Sequence, residues 1–568
     1  PTHDLSCSPP LHNRRCMNLS RDITTWMPYL DLTCATIATV LWFALPQIGA
    51  WPLVLALLPW MLRFISTRRL TQRTPFDLPM ALFGLTAALA VWAAYDREAA
   101  WSKFWLIVGA VLLFYAFANA RSTPAMVRVG LLTAFAVGLS FYFLATNDWT
   151  LLQSVTRLGQ SLQRYLPSVP GPRLNPNEVG GLLAMMLPFV AWGALRSWQR
   201  EGDSSIPRRG ARWLYALLAW AALTLVLFGL LMTASRGAWL ACGAAGLIAG
   251  LWWAIGGSKR SDVGWRKWSR LGLLVAGLVA ILGLGLILVG IGVEQIPLAR
   301  LFDPSTWFNR LEFQRNSLIL AKDYPLIGAG LDGFEMLYST YALLIHVGYI
   351  SHSHNLYLAV AIDQGLPALL ALIWMWVLFA AVVWRSLRQR EQTSTQTADQ
   401  ASLVGVAGLS LIIILLHGTV DTALYGRGVL FLFVPMAFAV QTAPQEKRQI
   451  RQQRVLGLVV IGLPLCLALL WPGRSLSLAY SNLGSVHQSQ EELSLYSWPE
   501  WPIQDEVRRN VDLSRSMTEF EKALALNPRN ATANRRLGMI ELSLGQYEDA
   551  LAHLEAAYAA EPNVMTTR

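Results

Sequence analysis

Residues 213–255 read WLYALLAWAALTLVLFGLLMTASRGAWLACGAAGLIAGLWWAI, and a single charged side chain, Arg236, interrupts them. The runs on either side, 213–233 and 237–255, are each long enough to cross a hydrocarbon core of roughly 30 Å as a helix rising about 1.5 Å per residue. Only a tight turn separates them. A chain that carries such a pair is built for a bilayer. An arginine placed where the two runs meet is costly unless it pairs, reaches lipid headgroups or faces a polar cavity.

The same pattern recurs outward in both directions. Apolar runs lie near 28–46, 49–65, 77–95, 104–120, 125–146, 177–196, 213–233, 237–255, 271–293, 355–384, 401–417, 428–442 and 455–471. The sequence therefore predicts an all-α, polytopic membrane protein with about 13 transmembrane helices. Its organisation is an N-terminal tail (1–25), a membrane domain (26–471) and a C-terminal helical region (472–568). The first two runs, parted by Pro46 and Gly49, have the spacing of a hairpin. The first run begins only near Trp26 and leads into a second, which is unlike a cleavable signal peptide. Composition agrees: 54% of residues are hydrophobic and 14% charged, against roughly a quarter charged in soluble domains.

Basic residues set the orientation. Arg63, Arg68, Arg69 and Arg73 fall in one loop, and Arg121 and Arg128 in the next but one. Alternate loops continue with Arg196–Arg212, Lys259–Arg270, Arg385–Arg390 and Lys447–Arg454. By the positive-inside rule this set is cytoplasmic, so the 294–354 loop and everything from 472 onward face outward. The net charge of +11 is thus explained by topology and not by a nucleic-acid partner. Cys34, Cys242 and Cys466 lie in apolar runs and Cys7 and Cys16 in a tail without a ligand pattern, so neither a disulfide framework nor a zinc site is indicated.

The C-terminal region is charged and helical in pattern. Glu521–Pro528 (EKALALNP) recurs as Glu555–Pro562 (EAAYAAEP), 34 residues on, with Gly538 and Ala550 as small residues between. This period is similar to a tetratricopeptide repeat over 519–563. One and a half repeats are fewer than the roughly three needed to stack, so the piece either stops short or docks on its own membrane domain. Such a segment also offers a surface for a protein partner.

Candidate chemistry concentrates in the outward loops. Asn309 followed by Glu312 predicts a helix start, with Arg310 in the first turn. A helix N-terminus with a guanidinium suits a phosphate. A solvated Arg on a capped surface helix is the alternative. From 294 to 354 four basic residues (300, 310, 315, 322) face six acidic ones (294, 303, 312, 323, 332, 335), so anion binding must come from particular arginines. His354 stands where the loop re-enters the membrane and can hold or relay a proton. His346, His352 and His354 lack a convincing further ligand for a metal. Asp421, at the end of a span, is a partner for an arginine or histidine, or a plain loop carboxylate. Phosphate-loop, nucleophile-elbow and His-Glu-x-x-His signatures are absent, and no carboxylate cluster for a divalent metal stands in the outer loops.

Four motifs in order carry a resemblance. They are Arg173-Leu-Asn175-Pro-Asn177, Ser235-Arg236-Gly237-Ala-Trp, Asn309-Arg310 with Asp323-Tyr324-Pro325-Leu-Ile-Gly328-Ala-Gly330, and His354-Asn355-Leu-Tyr-Leu with Gly365-Leu366-Pro367. Together, over roughly 170–440, they resemble the O-antigen ligase family and its related polysaccharide polymerases; Tyr324 stands where the family commonly has His. The resemblance implies a GT-C-like glycosyltransferase in a bacterial cytoplasmic (inner) membrane, serving lipopolysaccharide and cell-envelope polysaccharide biosynthesis. It would move a glycan from undecaprenyl pyrophosphate to an acceptor hydroxyl, lipid A-core or similar, with inversion and without metal or cofactor. Arg236 and Arg310 would bind the donor pyrophosphate, and His354 would be the base or a phosphate ligand. Asn177, Asn355, His352, Asp421 and Arg315 are secondary candidates. A polysaccharide polymerase or a protein O-oligosaccharyltransferase would share this chemistry. A lipid or polysaccharide transporter and a scaffold are readings from other classes; transporters often show related halves and charges in mid-span, whereas these spans show no internal repeat and the candidate residues cluster outside.

Overall fold

The structure, a computed structural model of the 568-residue chain, describes residues 11–45, 48–149, 156–167, 169, 171–199, 209–256, 304–343, 350–389, 395–440, 457, 459–460, 462, 466, 468–495 and 504–562. The expected run 271–293 and His346 lie outside them.

Among the described residues all regular structure is helical. Five of the described helices are long and apolar enough to cross a membrane: Arg97–Ser122, Ala125–Thr146, Pro176–Ser197, Trp213–Met232 and Leu356–Leu387. Leu53–Thr67, Asp77–Ala93, Ser402–Gly418 and Val429–Ala439 are apolar but shorter. The expected span 428–442 is two short helices, Val429–Leu432 and Val434–Ala439, with Pro435 at the start of the second. Proline lacks the N–H that would continue the first helix. The first helix begins at Leu11, so much of the segment read as an N-terminal tail is helical.

Two features position the site. The helices Pro176–Gln199, Arg209–Met232, Arg236–Gly256 and Thr395–Gly418 pack together, and glycines set how closely. A Cβ on Gly180 would stand 2.7 Å from the Ser235 Cβ, and one on Gly181 2.9 Å from the His417 ring. Secondly, the helix Leu356–Gln389 is broken at Gly365, whose φ of +80° suits glycine alone without strain. The segment 325–330 lies along this break. Ala329 N–H donates to the Ile362 carbonyl (2.7 Å), Gly330 N–H to Asp363 (3.2 Å) and Leu366 N–H to Pro325 (2.8 Å). Gly328 and Gly330 also have positive φ, and a Cβ on either would overlap backbone of Asp363 or Ala94. The Pro-Leu-Ile-Gly-x-Gly motif is therefore a clasp between loop and kink.

The C-terminal region forms the helices Pro472–Ser494, Gln504–Asn510, Ser514–Leu526, Ala531–Leu544 and Tyr547–Ala560. The 34-residue offset places two helix ends in matching conformation: Asn527 (φ −148°, ψ 94°) and Glu561 (φ −139°, ψ 77°). Of the two expectations for this region, the structure shows docking. Asp323, buried at the end of the helix Pro304–Asp323, accepts from Arg535 (2.6 Å), from Arg536 (2.8 and 3.1 Å) and from Thr532 (2.9 Å). Tyr324 is fully buried beside it, its hydroxyl accepting from Arg536 (3.1 Å), and Asn482 accepts from Leu326 and Ile327 N–H.

Candidate active site

The turn Thr233–Arg236 is held locally. Ala234 takes a left-handed φ of +52°, Ser235 N–H donates to the Thr233 hydroxyl (3.3 Å), and the Trp239 indole donates to the Leu230 carbonyl (3.0 Å). This presents Arg236, exposed, as the first residue of Arg236–Gly256. Arg310 reaches the same place by another route. The helix bearing it starts at Pro304, not Asn309, so Arg310 lies in the second turn and not the first; the expected capping box is an interior stretch. Arg310 donates from Nη1 to the Val420 carbonyl (3.1 Å). One turn on, Gln314 donates to the carbonyls of His354 (3.2 Å) and Thr419 (3.0 Å). The helix thus ties the 417–421 turn to the point where the chain re-enters at 354.

Arg236, Arg310, Asn177 and Asp421 line one cavity of about 460 Å³, with Ser235, Gly237 and Val420. These residues lie at or near helix ends, so the cavity sits at one end of the apolar helices and not at their middle. Asp421 is buried, its carboxylate accepting from Ala423 N–H (2.9 Å). It also lines a second cavity of about 480 Å³ with His352. A third, of about 370 Å³, shares Asn177 and Ala234 with the first and includes Arg173.

His354 does not line the arginine cavity. Its half-buried ring stands between Phe313 (centroids 6.2 Å) and His352 (5.5 Å), with φ +50° and a buried Nδ1 that has no hydrogen-bond partner. Burial holds its pKa below the usual histidine value; Arg310 and His352 push the same way and Asp421 opposes them. The imidazole is thus neutral at pH 7, one nitrogen able to accept a proton. Asn355 acts as a cap: Oδ1 accepts from Tyr357 and Leu358 N–H (3.0 and 3.1 Å), and Nδ2 donates to Thr419 (3.3 Å). Arg315 is exposed and lines none of the three cavities.

Residues 221–373 match the O-antigen ligase family. The match contains Arg236, Arg310 and His354 and excludes Asn177 and Asp421. No curated protein matches the chain. With the apolar helices, this similarity supports a multi-pass membrane protein that carries an O-antigen-ligase-like segment.

Sequence reasoning passed over several residues at these cavities. Glu178 accepts from Arg427 N–H (3.2 Å). Lys103 is paired with Asp363 (2.8 Å) and lies 3.7 Å from Asp332. Charges inside apolar runs are expensive and mark function by default, so Asp363, inside the 355–384 run, was findable on that rule; Lys103 stands one residue before the 104–120 run. The same rule applies to His417, at the end of the 401–417 run; it is fully buried, and neither ring nitrogen has a partner. Among the described residues no cluster has metal-ligand composition.

Proposed function

We propose that this chain is a membrane glycosyltransferase of the O-antigen ligase or polymerase type, which moves a glycan from a polyprenyl-pyrophosphate carrier to an acceptor hydroxyl at the outer face of a bacterial inner membrane. The observation that carries this reading is the convergence of Arg236 and Arg310, from distant parts of the sequence, on one cavity at the helix ends. A lipid tail places the donor in the bilayer, and its pyrophosphate, dianionic in the donor, gains a further negative charge as it leaves and needs fixed cations. Two guanidiniums supply planar, multiple N–H donors where that charge develops.

The acceptor oxygen attacks the anomeric carbon, the bond from that carbon to the phosphate oxygen breaks, and polyprenyl pyrophosphate leaves with the electron pair. The acceptor proton passes to a base. Asp421 lines the cavity; His354 has the protonation state for a base but does not itself line it. A half-buried, neutral His354 close to Arg310 fits a proton acceptor better than a phosphate ligand, which would gain from being charged. Facing carboxylates of the glycosidase kind are not required, because the leaving group is already a good one. No step calls for a metal. The C-terminal helices fit a tetratricopeptide-like segment, and the exposed Tyr547, Leu551 and Tyr558 of the last helix would meet a protein partner.

The test is transfer in a host strain whose own copy is deleted, with protein level in the membrane measured first. Arg310→Lys keeps the charge and loses the fork; glycan transfer should fall on the order of a hundredfold or more. Transfer at the unmodified rate in both Arg310→Lys and Arg236→Ala would sink the assignment.

A further inference from the structure

The arginine cavity has a neighbour of opposite character. The second cavity, about 480 Å³, is lined by the carboxylates of Glu178, Asp332, Glu335, Asp363 and Asp421. Its cations are Lys103 and Arg427. Lys103 is already committed: its ammonium is 2.8 Å from Asp363 and 3.7 Å from Asp332, and it sits 4.2 Å over the Tyr425 ring. The hydroxyl-bearing Ser102, Ser351, Ser353, Thr422 and Tyr425 and the His352 ring also line it. Counted as charges, five carboxylates face two cations, so an anion entering here meets net repulsion. Carboxylates are acceptors only, and with the hydroxyls they present a surface that suits a ligand rich in O–H donors.

The two cavities meet at Asp421, the residue they have in common. We propose that the acidic cavity is the acceptor subsite, and that it takes an uncharged saccharide by its hydroxyl groups while excluding phosphorylated or carboxylated sugars. This rests on the donor reading above for the neighbouring cavity. A sugar hydroxyl reaching past Asp421 enters the arginine cavity, where the anomeric carbon of the donor would stand. The division of charge then sorts the substrates: pyrophosphate goes to the guanidiniums and the neutral nucleophile to the carboxylates.

The walls come from different parts of the chain. Asp332, Glu335 and Asp363 fall within the family-matched segment, whereas Lys103, Glu178, Asp421 and Arg427 fall outside it. Two of the five carboxylates, Glu178 and Asp421, thus lie outside the segment that holds both donor arginines.

Binding can be read without turnover. The full chain in nanodiscs is probed by saturation-transfer NMR with glucose, galactose and mannose, and with glucose 6-phosphate. Saturation transfer to at least one neutral hexose is expected, with a signal from the phosphate ester at least tenfold weaker. Glu335→Gln and Asp332→Asn, each removing one charged acceptor, should weaken hexose binding about tenfold. Arg315→Ala, at an exposed position outside both cavities, should leave it unchanged. Hexose signals that survive the combined Asp332→Asn/Glu335→Gln substitution, that are absent from the unmodified chain, or that vanish with Arg315→Ala overturn the proposal. So does glucose 6-phosphate binding as well as the hexoses. The donor reading fails separately, through full transfer by Arg310→Lys and Arg236→Ala in cells.

Discussion

Asp323 is the point at which the C-terminal helices hold the loop that carries Arg310, and its removal should release them. Its carboxylate is buried to 2% exposure and is matched by Arg535 and Arg536 side chains at 5% and 2%. Asp323→Ala leaves two buried guanidiniums facing one another with no counter-charge. Arg536 keeps its place over the Tyr341 ring (3.6 Å) and its bond to Tyr324, but neither neutralises it. Breaking a buried ion pair from one side costs about 3–5 kcal/mol, so the undocked population should rise on the order of a hundredfold to a thousandfold. Lys322, next in sequence, is an internal control. Its pair with Glu561 (2.6 Å) is 52% and 30% exposed, and such a surface bridge contributes about 1 kcal/mol at most. Hydrogen exchange in Ala531–Leu544 reads the difference. Asp323→Ala should accelerate it by two orders of magnitude, Lys322→Ala by less than about fivefold. Equal exchange in the two variants would refute the clasp. Acid gives a second check. Burial alone would raise the Asp323 pKa, but Arg535 and Arg536 overcome it and hold the group below the usual carboxylate range. Its stabilisation is complete above the unfolded value of about 3.9 and is lost as pH falls through the lower folded value, so the region stays docked at pH 5.

Three further outcomes follow from the same geometry. Gly330→Ala forces an L side chain to φ +102° and its Cβ onto Ala94 backbone; thermal unfolding in detergent should show a loss of more than about 2 kcal/mol, and an unshifted midpoint would mean the 325–330 clasp is not under strain. If His354 is the base, transfer should have an acid limb below the ordinary histidine value of about 6.5, because burial first, then Arg310 and His352, depress it. Asp421→Asn, removing the charge that raises it, should move that limb to still lower pH; a limb that moves up instead would place the titrating group elsewhere. Treatment with EDTA should leave transfer unchanged, and loss of transfer with rescue by magnesium or manganese would contradict the arginine-only leaving-group site.

The sequence was readable wherever the physics is local. Helix class follows from run length and hydropathy, and Arg236 stands out because a lone charge in 43 apolar-rich residues (213–255) needs a reason. Boundaries were less legible. Asn309 with Glu312 has the spacing of a capping box, yet the helix starts five residues earlier at Pro304, because proline at a first helical position needs no N–H partner. The association of Arg310 with Asp421 depends on how the 417–421 turn is held by Gln314, a contact between residues 105 apart that no periodicity encodes. Asp323 and Tyr324 matched a loop motif in sequence, and their bonds to Arg535 and Arg536 became visible only when the C-terminal helices were seen to dock.

The helix Pro304–Asp323 joins these observations. Near its start, Arg310 and Gln314 grip the turn beside Asp421; at its end, Asp323 is locked to the C-terminal helices. An arginine set by one end of a rigid helix inherits its position from whatever fixes the other. The C-terminal region is therefore a positioning element for the arginine cavity, even though none of its residues lines that cavity. Asp323→Ala should accordingly lower transfer while leaving Arg236 and Asp421 in place, and the loss should appear mainly in turnover, where alignment of the leaving-group donor matters, and less in donor affinity. A variant with undocked C-terminal helices and full turnover would show that the loop holds Arg310 unaided.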